Sequence, residues 1–417
     1  MKLRLCWLAL LWSGVTLVLW TTATAETAPF QADLSLIKFV REVVSENPRV
    51  QAARAALDAQ SALRDAASRP LYNPQLTIAA ENADTDTRAL GLSQTLDWNG
   101  KRKARTAVAQ SDLFVAEANY LGTRWAVTVG LLEGLARHQT GVDRDALAEA
   151  RRSMMAKFSA LAERRFEAGD LAQVELDLAR LALADARIQK ATTGVRLAEA
   201  RQAVRNLTPA SAASMWPKLP SAMPKLPHEA TNSQSIVQEL PEVLAARRQV
   251  ESAGALVELR RRERRPDPTL SFAGGEEEGE SLIGLNVTIP LFVRNRFSYE
   301  VTAAMAERSQ AEEIANDVTQ RALARLESAT ERYGLSRNAW GQWGSTGQIS
   351  LARKTSELQK LWQSGELSTT DYLVQLSATL DVRESALDLR EALWRSWFEW
   401  LSASGQVDLW LGQGSHQ

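Results

Sequence analysis

Prolines are absent from two long stretches of this chain, residues 75–208 and 291–417, although the sequence holds 13 of them. Proline inside a helix removes a hydrogen bond and clashes with the preceding turn, at about 3 kcal/mol or more. Two such exclusions, filled with Ala, Leu, Arg, Glu and Gln, predict long helices. Val174, Leu178, Leu181 and Ile188 fall at i, i+4, i+7 and i+14, the seam of a helix packing along another helix. A helix from Lys101 to about Phe166 would reach roughly 100 Å. Several shorter bundle helices are the alternative, and Gly122, Gly130, Gly134 and Gly141 are either bends or points of close packing.

The stretches between the exclusions repeat. Asn47-Pro48-Arg49-Val50 and Leu240-Pro241-Glu242-Val243 each open a helical segment. Gln75-Leu76-Thr77-Ile78 follows Pro70 and Pro74, as Thr269-Leu270-Ser271-Phe272 follows Pro266 and Pro268. Leu90–Leu96 matches Ile283–Ile289 at an offset of 193, and the same offset sets Lys101-Arg102-Lys103 against Arg294-Asn295-Arg296. Phe166-Glu-Ala-Gly169-Asp170-Leu171 matches Trp362-Gln-Ser-Gly365-Glu366-Leu367. Each half therefore reads helix, strand, turn, strand, long helix, break, helix.

The boundaries expected from this pattern are a first repeat over 26–207, a Pro-rich linker over 208–235, a second repeat over 236–405 and a C-terminal tail over 406–417. The hairpins fall at about 75–97 and 268–290, and the helix–helix tips near 166–171 and 362–367. Residues 1–25 read as a cleavable export signal: Lys2 and Arg4, an apolar run from Cys6 to Trp20, then Ala23-Thr24-Ala25. The run is about 15 residues, short of the roughly 20 that a spanning anchor needs.

The strands alternate. Leu76, Ile78, Leu90, Leu92, Leu96, Leu270, Phe272, Ile283, Leu285, Val287 and Ile289 take one parity, with Thr77, Gly91, Ser93, Gly284, Asn286 and other small or polar residues between them. Such a pattern fits a half-buried soluble hairpin or a membrane-barrel strand facing lipid. In the second case four strands are too few. Transmembrane barrels start at eight, and an open edge in lipid leaves backbone groups unpaired. Two copies would give eight strands and three would give twelve.

Composition excludes several functions. The balance of 49 Lys+Arg against 50 Asp+Glu gives no reason for a nucleic-acid partner, and the basic run Arg260–Arg265 reads as a helix end facing lipid headgroups. Cys6 is the sole cysteine, and His138, His228 and His416 lie far apart. No metal cage, cofactor motif or nucleophile–base pair is legible, so neither catalysis nor a cofactor is expected.

With the duplicated halves, Gly91-Leu-Ser-Gln94, Asn99-Gly100-Lys101-Arg102 and Ile289-Pro290-Leu291-Phe292-Val293-Arg294-Asn295 in hand, the chain resembles the TolC-like outer membrane efflux proteins. It looks most like the branch serving heavy-metal pumps of the resistance-nodulation-division type, cobalt–zinc–cadmium and copper–silver. Asn99-Gly100 stands where that branch usually has a double glycine, and Phe297 where glycine is common.

The resemblance implies a mainly α fold with a small β part. Two tandem repeats would each carry long antiparallel helical hairpins and two transmembrane strands, and a homotrimer would form a 12-stranded barrel above a periplasmic helical barrel. It implies a passive export duct with three kinds of partner: outer membrane lipid, a periplasmic adaptor and an inner-membrane pump. Cargo would be heavy-metal cations or small organic toxicants; a soluble coiled-coil adaptor or scaffold is the rival. By the same resemblance Arg165, Phe166, Gly169, Asp170 and Leu171, with Trp362, Gly365, Glu366 and Leu367, are the adaptor-docking tips, unless the aromatics merely plug the bundle. Glu175 and Asp371, six residues after Gly169 and Gly365, are candidate gate acids or ordinary helix-surface acids.

Overall fold

The computed structural model describes residues 31–82, 86–209, 216–226, 232–277 and 279–412. The expected export signal, 1–25, lies outside them. The elements are α1 (Leu34–Glu46), α2 (Pro48–Ser68), β1 (Gln75–Asn82), β2 (Asp86–Thr95), α3 (Lys101–Glu167) and α4 (Gln173–Arg205), then α5 (Ser233–Gln238), α6 (Pro241–Glu263), β3 (Thr269–Glu277), β4 (Glu280–Thr288) and α7 (Ser298–Gln342). A π-helical turn, Trp343–Gly347, leads into α8 (Gln348–Gln363), and α9 (Thr369–Ala403) and α10 (Val407–Trp410) follow.

The proline-free stretches do form long helices. α3 is 67 residues without a break, about 100 Å at 1.5 Å per residue. Its glycines do not break it, and two of them admit close neighbours. A Cβ on Gly134 would stand 3.2 Å from Val204 Cγ2, and one on Gly141 3.3 Å from Leu197 Cδ1, so α4 rides close along α3 here. The second half is less regular, because the π turn inserts extra backbone between α7 and α8.

The helices line up as palisades. Near the sheet the packing order is α2, α3, α6, α7; towards the tips it is α4, α3, α9, with α7 and α8 against α9. Two apolar clusters hold them. The larger gathers α1, the middle of α3, the end of α9 and α10. Trp394, Trp397 and Trp400 lie on its inner face, with the Trp397 and Trp400 rings stacked 5.0 Å apart. Val407, Trp410 and Leu411 are buried there too, so the described part of the C-terminal segment is core. The described part of the Pro-rich segment also packs down, since Tyr333 Oη donates to the Pro224 carbonyl at 2.5 Å. The smaller cluster sits at the tips.

Between the two clusters, ions replace hydrocarbon. Arg144 of α3 faces Asp388, Glu384 and Glu391 of α9. One level nearer the tips, Arg151 bridges Asp381 of α9 at 3.5 Å and Asp185 of α4 at 3.6 Å.

The four strands form one antiparallel sheet in the order β1-β2-β3-β4. Register puts Leu76 opposite Leu92, Leu92 opposite Phe272, and Phe272 opposite Leu285. Leu76, Ile78, Leu90, Leu92, Leu270, Phe272, Ile283, Leu285 and Val287 therefore share one face. The reverse face carries Thr77, Gly91, Ser93, Ser271, Ala273, Gly284 and Asn286. Leu96 and Ile289, grouped with the strands on sequence, lie one residue beyond β2 and β4.

The motif alignment fails at one place. Lys101–Lys103 open α3, whereas Arg294–Arg296 lie in the loop before α7. The residue preceding each helix is Gly100 in the first half and Phe297 in the second, so the match of basic triplets is four residues out of register.

Candidate functional site

Two regions could meet partners: the helix tips and the sheet with its foot.

Both tips end in the same motif. Gly169 (φ +79°) and Gly365 (φ +79°) take the left-handed conformation that glycine accepts without penalty. Gly169 N–H donates to Phe166 O at 3.0 Å and Asp170 N–H to Arg165 O at 2.8 Å. Correspondingly, Gly365 N–H donates to Trp362 O at 3.2 Å and Glu366 N–H to Leu361 O at 3.0 Å. These paired 5→2 and 6→1 bonds satisfy carbonyls that a helix end would otherwise leave open.

The tip side chains divide sharply. Phe166, Gly169, Asp170, Gly365 and Glu366 are exposed, and Arg165, Leu171 and Leu367 are half-buried. Trp362 is 5% exposed and does not stand at the surface as a docking residue would. It stacks on Tyr372 with centroids 5.0 Å apart and meets Phe158 at 4.6 Å, while the Arg165 guanidinium lies 5.2 Å from its ring centroid. The physical reason is position: α9 lies between α8 and α3, and the indole of α8 reaches past it to Phe158 of α3. Trp362 is a clamp between the two hairpins.

The candidate gate acids are occupied as helix caps. Glu175 Oε2 accepts from the Ala172 N–H at 3.3 Å. Ser368 Oγ accepts from the Asp371 N–H at 3.1 Å and donates to Asp371 Oδ2 at 2.7 Å. Both acids sit in the first turn of their helices, where a negative charge meets the positive end of the helix dipole. Among the described residues no His, Cys, Asp and Glu group with metal-binding geometry occurs.

Among the described residues nothing covers the apolar face of the sheet. Ile78 is 74% exposed, Ile283 79% and Leu285 71%. Burying such surface is worth about 25 cal/mol per Å², so water is not its equilibrium environment. Among the described residues β1 and β4 each keep one unpaired edge. No described helix is long and apolar enough to cross a membrane.

The foot of the sheet is built by a buried acid that the sequence did not single out. Asp267 accepts from Tyr72 Oη at 2.8 Å and pairs with Lys101 Nζ at 3.0 Å, with the two charged side chains 3% and 12% exposed. Burial, then the neighbouring Asp267, pushes the Tyr72 phenol up to about 12. Asp97 caps α3, accepting from the Lys101 and Arg102 N–H groups at 2.7 and 2.8 Å. This knot joins the first half's turn to the second half's strand, and so fixes the sheet on the palisade.

Residues 39–209 match the family described as outer membrane efflux protein. Along nearly its whole length the chain superimposes on solved channels of this kind, among them the CusC structure (TM-score 0.73, 17% identity, 90% of this chain and 93% of that one). Over residues 39–209 the chain matches the outer membrane efflux protein family, and along nearly its whole length it shares the fold of the solved channels.

Other solved channels give the same result. The Campylobacter jejuni CmeC outer membrane channel aligns with a TM-score of 0.75 at 17% identity, over 90% of this chain and 86% of that one. At such identity the likeness is one of fold. In sequence, the chain is 26% identical over 261 residues to the cobalt-zinc-cadmium resistance protein CzcC of Cupriavidus metallidurans, a match spanning 60% of this chain and 62% of that relative.

Proposed function

We propose that three copies of this chain form the outer membrane duct of a tripartite efflux system. A 12-stranded barrel would stand in the outer membrane, and a tunnel of helices would hang into the periplasm. The observation that carries the reading is the four-stranded sheet, apolar and exposed on one face, unpaired at both edges, at the end of a palisade about 100 Å long. In lipid such a sheet must close on other copies. The boundaries read from sequence are kept: repeats over 26–207 and 236–405, with the linker 208–235 between them.

The duct performs no chemistry. An inner-membrane pump supplies the energy and a periplasmic adaptor grips the tips, through Phe166, Asp170, Glu366 and the other exposed groups beside Gly169 and Gly365. Opening requires α8 and α9 to leave α3 and α4, so the adaptor works by binding the open form more tightly. Glu175 and Asp371, repeated by three-fold symmetry, bias the narrow end towards cations. Heavy-metal ions are the proposed cargo, supported by the name and 26% identity of the CzcC relative.

Single-channel conductance of the purified protein in a planar bilayer tests this. Discrete openings that divalent cations block or permeate selectively are expected, with weaker selectivity in Asp371→Asn. A folded protein that never inserts would overturn the duct in favour of a soluble scaffold. Openings indifferent to divalents would move the cargo to organic compounds.

A further inference from the structure

The two ends of the sheet differ in charge. At the turns, Asp86, Glu276, Glu277 and Glu280 outnumber Arg88. At the foot, where the strands meet the helices, the surplus is positive. Arg102, Lys103, Arg261, Arg265, Arg294 and Arg296 are all exposed, and none has a carboxylate within ion-pair distance among the described residues. Most of the acids nearby are already taken, and Glu300, in the first turn of α7, pairs with none of these cations. Asp97 caps α3, Asp267 holds Lys101 and Tyr72, Glu258 holds Arg262, and Glu263 holds Arg260.

These cations follow directly on an apolar border. Trp98, Leu291 and Val293 lie just past β2 and β4 and are 76%, 78% and 76% exposed. Moving out along the chain, the order is apolar strand face, then Trp98 or Leu291 and Val293, then arginine or lysine. Hydrocarbon, interface and phosphate follow in that order through one leaflet of a bilayer. A second copy of the chain is a poor occupant, since a neighbour in a ring brings the same foot and sets cation beside cation. Threefold assembly multiplies the surplus.

We infer that the foot of the sheet is a binding belt for anionic phospholipid headgroups, of the phosphatidylglycerol class, in the leaflet that the helices enter. The inference rests on the outer membrane reading above. Trp98, Leu291 and Val293 anchor at the acyl boundary, and the six cations take the phosphates. Lipid then holds the sheet at a fixed depth, and supplies the counter-charge that lets three basic feet stand together.

The test is lipid retention by the purified full-length oligomer, read by native mass spectrometry after exchange into equal amounts of phosphatidylglycerol and phosphatidylcholine. Preferential retention of phosphatidylglycerol is expected, falling with ionic strength and by about fivefold for each cation lost. Arg294→Gln with Arg296→Gln, and separately Arg261→Gln with Arg265→Gln, should each lower retention by tenfold or more. Arg353→Gln with Lys354→Gln on α8, far from the foot, should leave it unchanged. Should the foot variants fail to assemble, the salt dependence of the wild-type preference still decides.

Equal retention of both lipids by an inserted oligomer would overturn the belt and leave the duct intact. So would loss of phosphatidylglycerol on adding millimolar inorganic phosphate, which would mark a phosphate site in place of a lipid belt. Recovery of the wild type outside the outer membrane fraction, with neither lipid bound, would overturn the duct reading beneath it.

Discussion

Phe297 heads α7 in the place that Gly100 holds at the head of α3, and both are left-handed, with φ of +52° and +66°. Among the described residues Phe297 is the sole non-glycine with positive φ. Its N–H donates to Asn295 Oδ1 at 2.9 Å, and its ring packs edge-on against Phe292 at 5.0 Å. An L-residue in this region carries about 1–2 kcal/mol of strain, and an aromatic pair returns about 0.5–1.5 kcal/mol. The second repeat thus holds its turn by ring packing where the first relies on glycine.

A reversal of the usual helix-propensity order follows at this position. Phe297→Gly loses the ring and the strain together, whereas Phe297→Ala loses only the ring. The glycine variant should be the more stable by about 1 kcal/mol, as read from denaturant midpoints at constant m. Gly100→Ala should cost about 1 kcal/mol. An alanine variant of Phe297 as stable as the glycine variant would contradict the left-handed assignment.

Trp362 and Phe166 occupy matching sequence positions and have opposite environments. Trp362→Ala opens a cavity against Phe158 and Tyr372 and should destabilise the tip by about 3–5 kcal/mol. It should also raise the open probability of the channel, because the clamp between the hairpins is gone. Phe166→Ala should stay within about 0.5 kcal/mol, and show its effect only as weaker adaptor binding. Thermal unfolding with adaptor co-purification separates the two.

Asp267 is the acid on which the foot of the sheet depends. Asp267→Asn leaves Lys101 without its counter-charge in a buried site, a loss of about 3–5 kcal/mol. Tyr72→Phe removes one hydrogen bond and should cost about 1 kcal/mol. If the two variants are equally mild, the Lys101 pair is not the dominant contact and the knot is weaker than its geometry implies.

His138 stands edge-on to Trp216 at 4.6 Å, and burial, then the nearby Arg201 guanidinium, holds its imidazole below the ordinary histidine range. The folded chain therefore favours neutral His138. The sign follows: its contribution is complete above the unfolded value of about 6.5 and is lost as pH falls through the lower folded value. Wild type should lose more stability than His138→Gln between pH 7 and 5. Parallel pH profiles would refute this.

Much of the fold is legible because it is written in local periodicity. The proline-free stretches give α3, and the parity of Leu76, Ile78, Leu90 and Leu92 gives one sheet face, since each rests on spacing alone. What spacing does not encode was missed. Phe297 gives no sign of its φ, and the similarity of two basic triplets hid a four-residue slip. An aromatic before a tip glycine reads alike whether it plugs the bundle, as Trp362 does, or stands exposed, as Phe166 does. Asp267 finds Tyr72 across 195 residues, and no motif of that span announces itself. The same holds for Arg144, Arg151 and their α9 acids.

The account stands on the claim that β1 of one copy pairs with β4 of the next. Cys6 is the sole cysteine of the sequence, so cysteine pairs placed between Gln75–Ile78 and Leu285–Thr288 report that contact cleanly in a background lacking it. The direct measurement is oxidative cross-linking of these double variants in the outer membrane, resolved on denaturing gels. The account predicts chains linked edge to edge in a ladder that stops at three. Monomers alone from folded, membrane-inserted protein, or a ladder that continues past three, would contradict it.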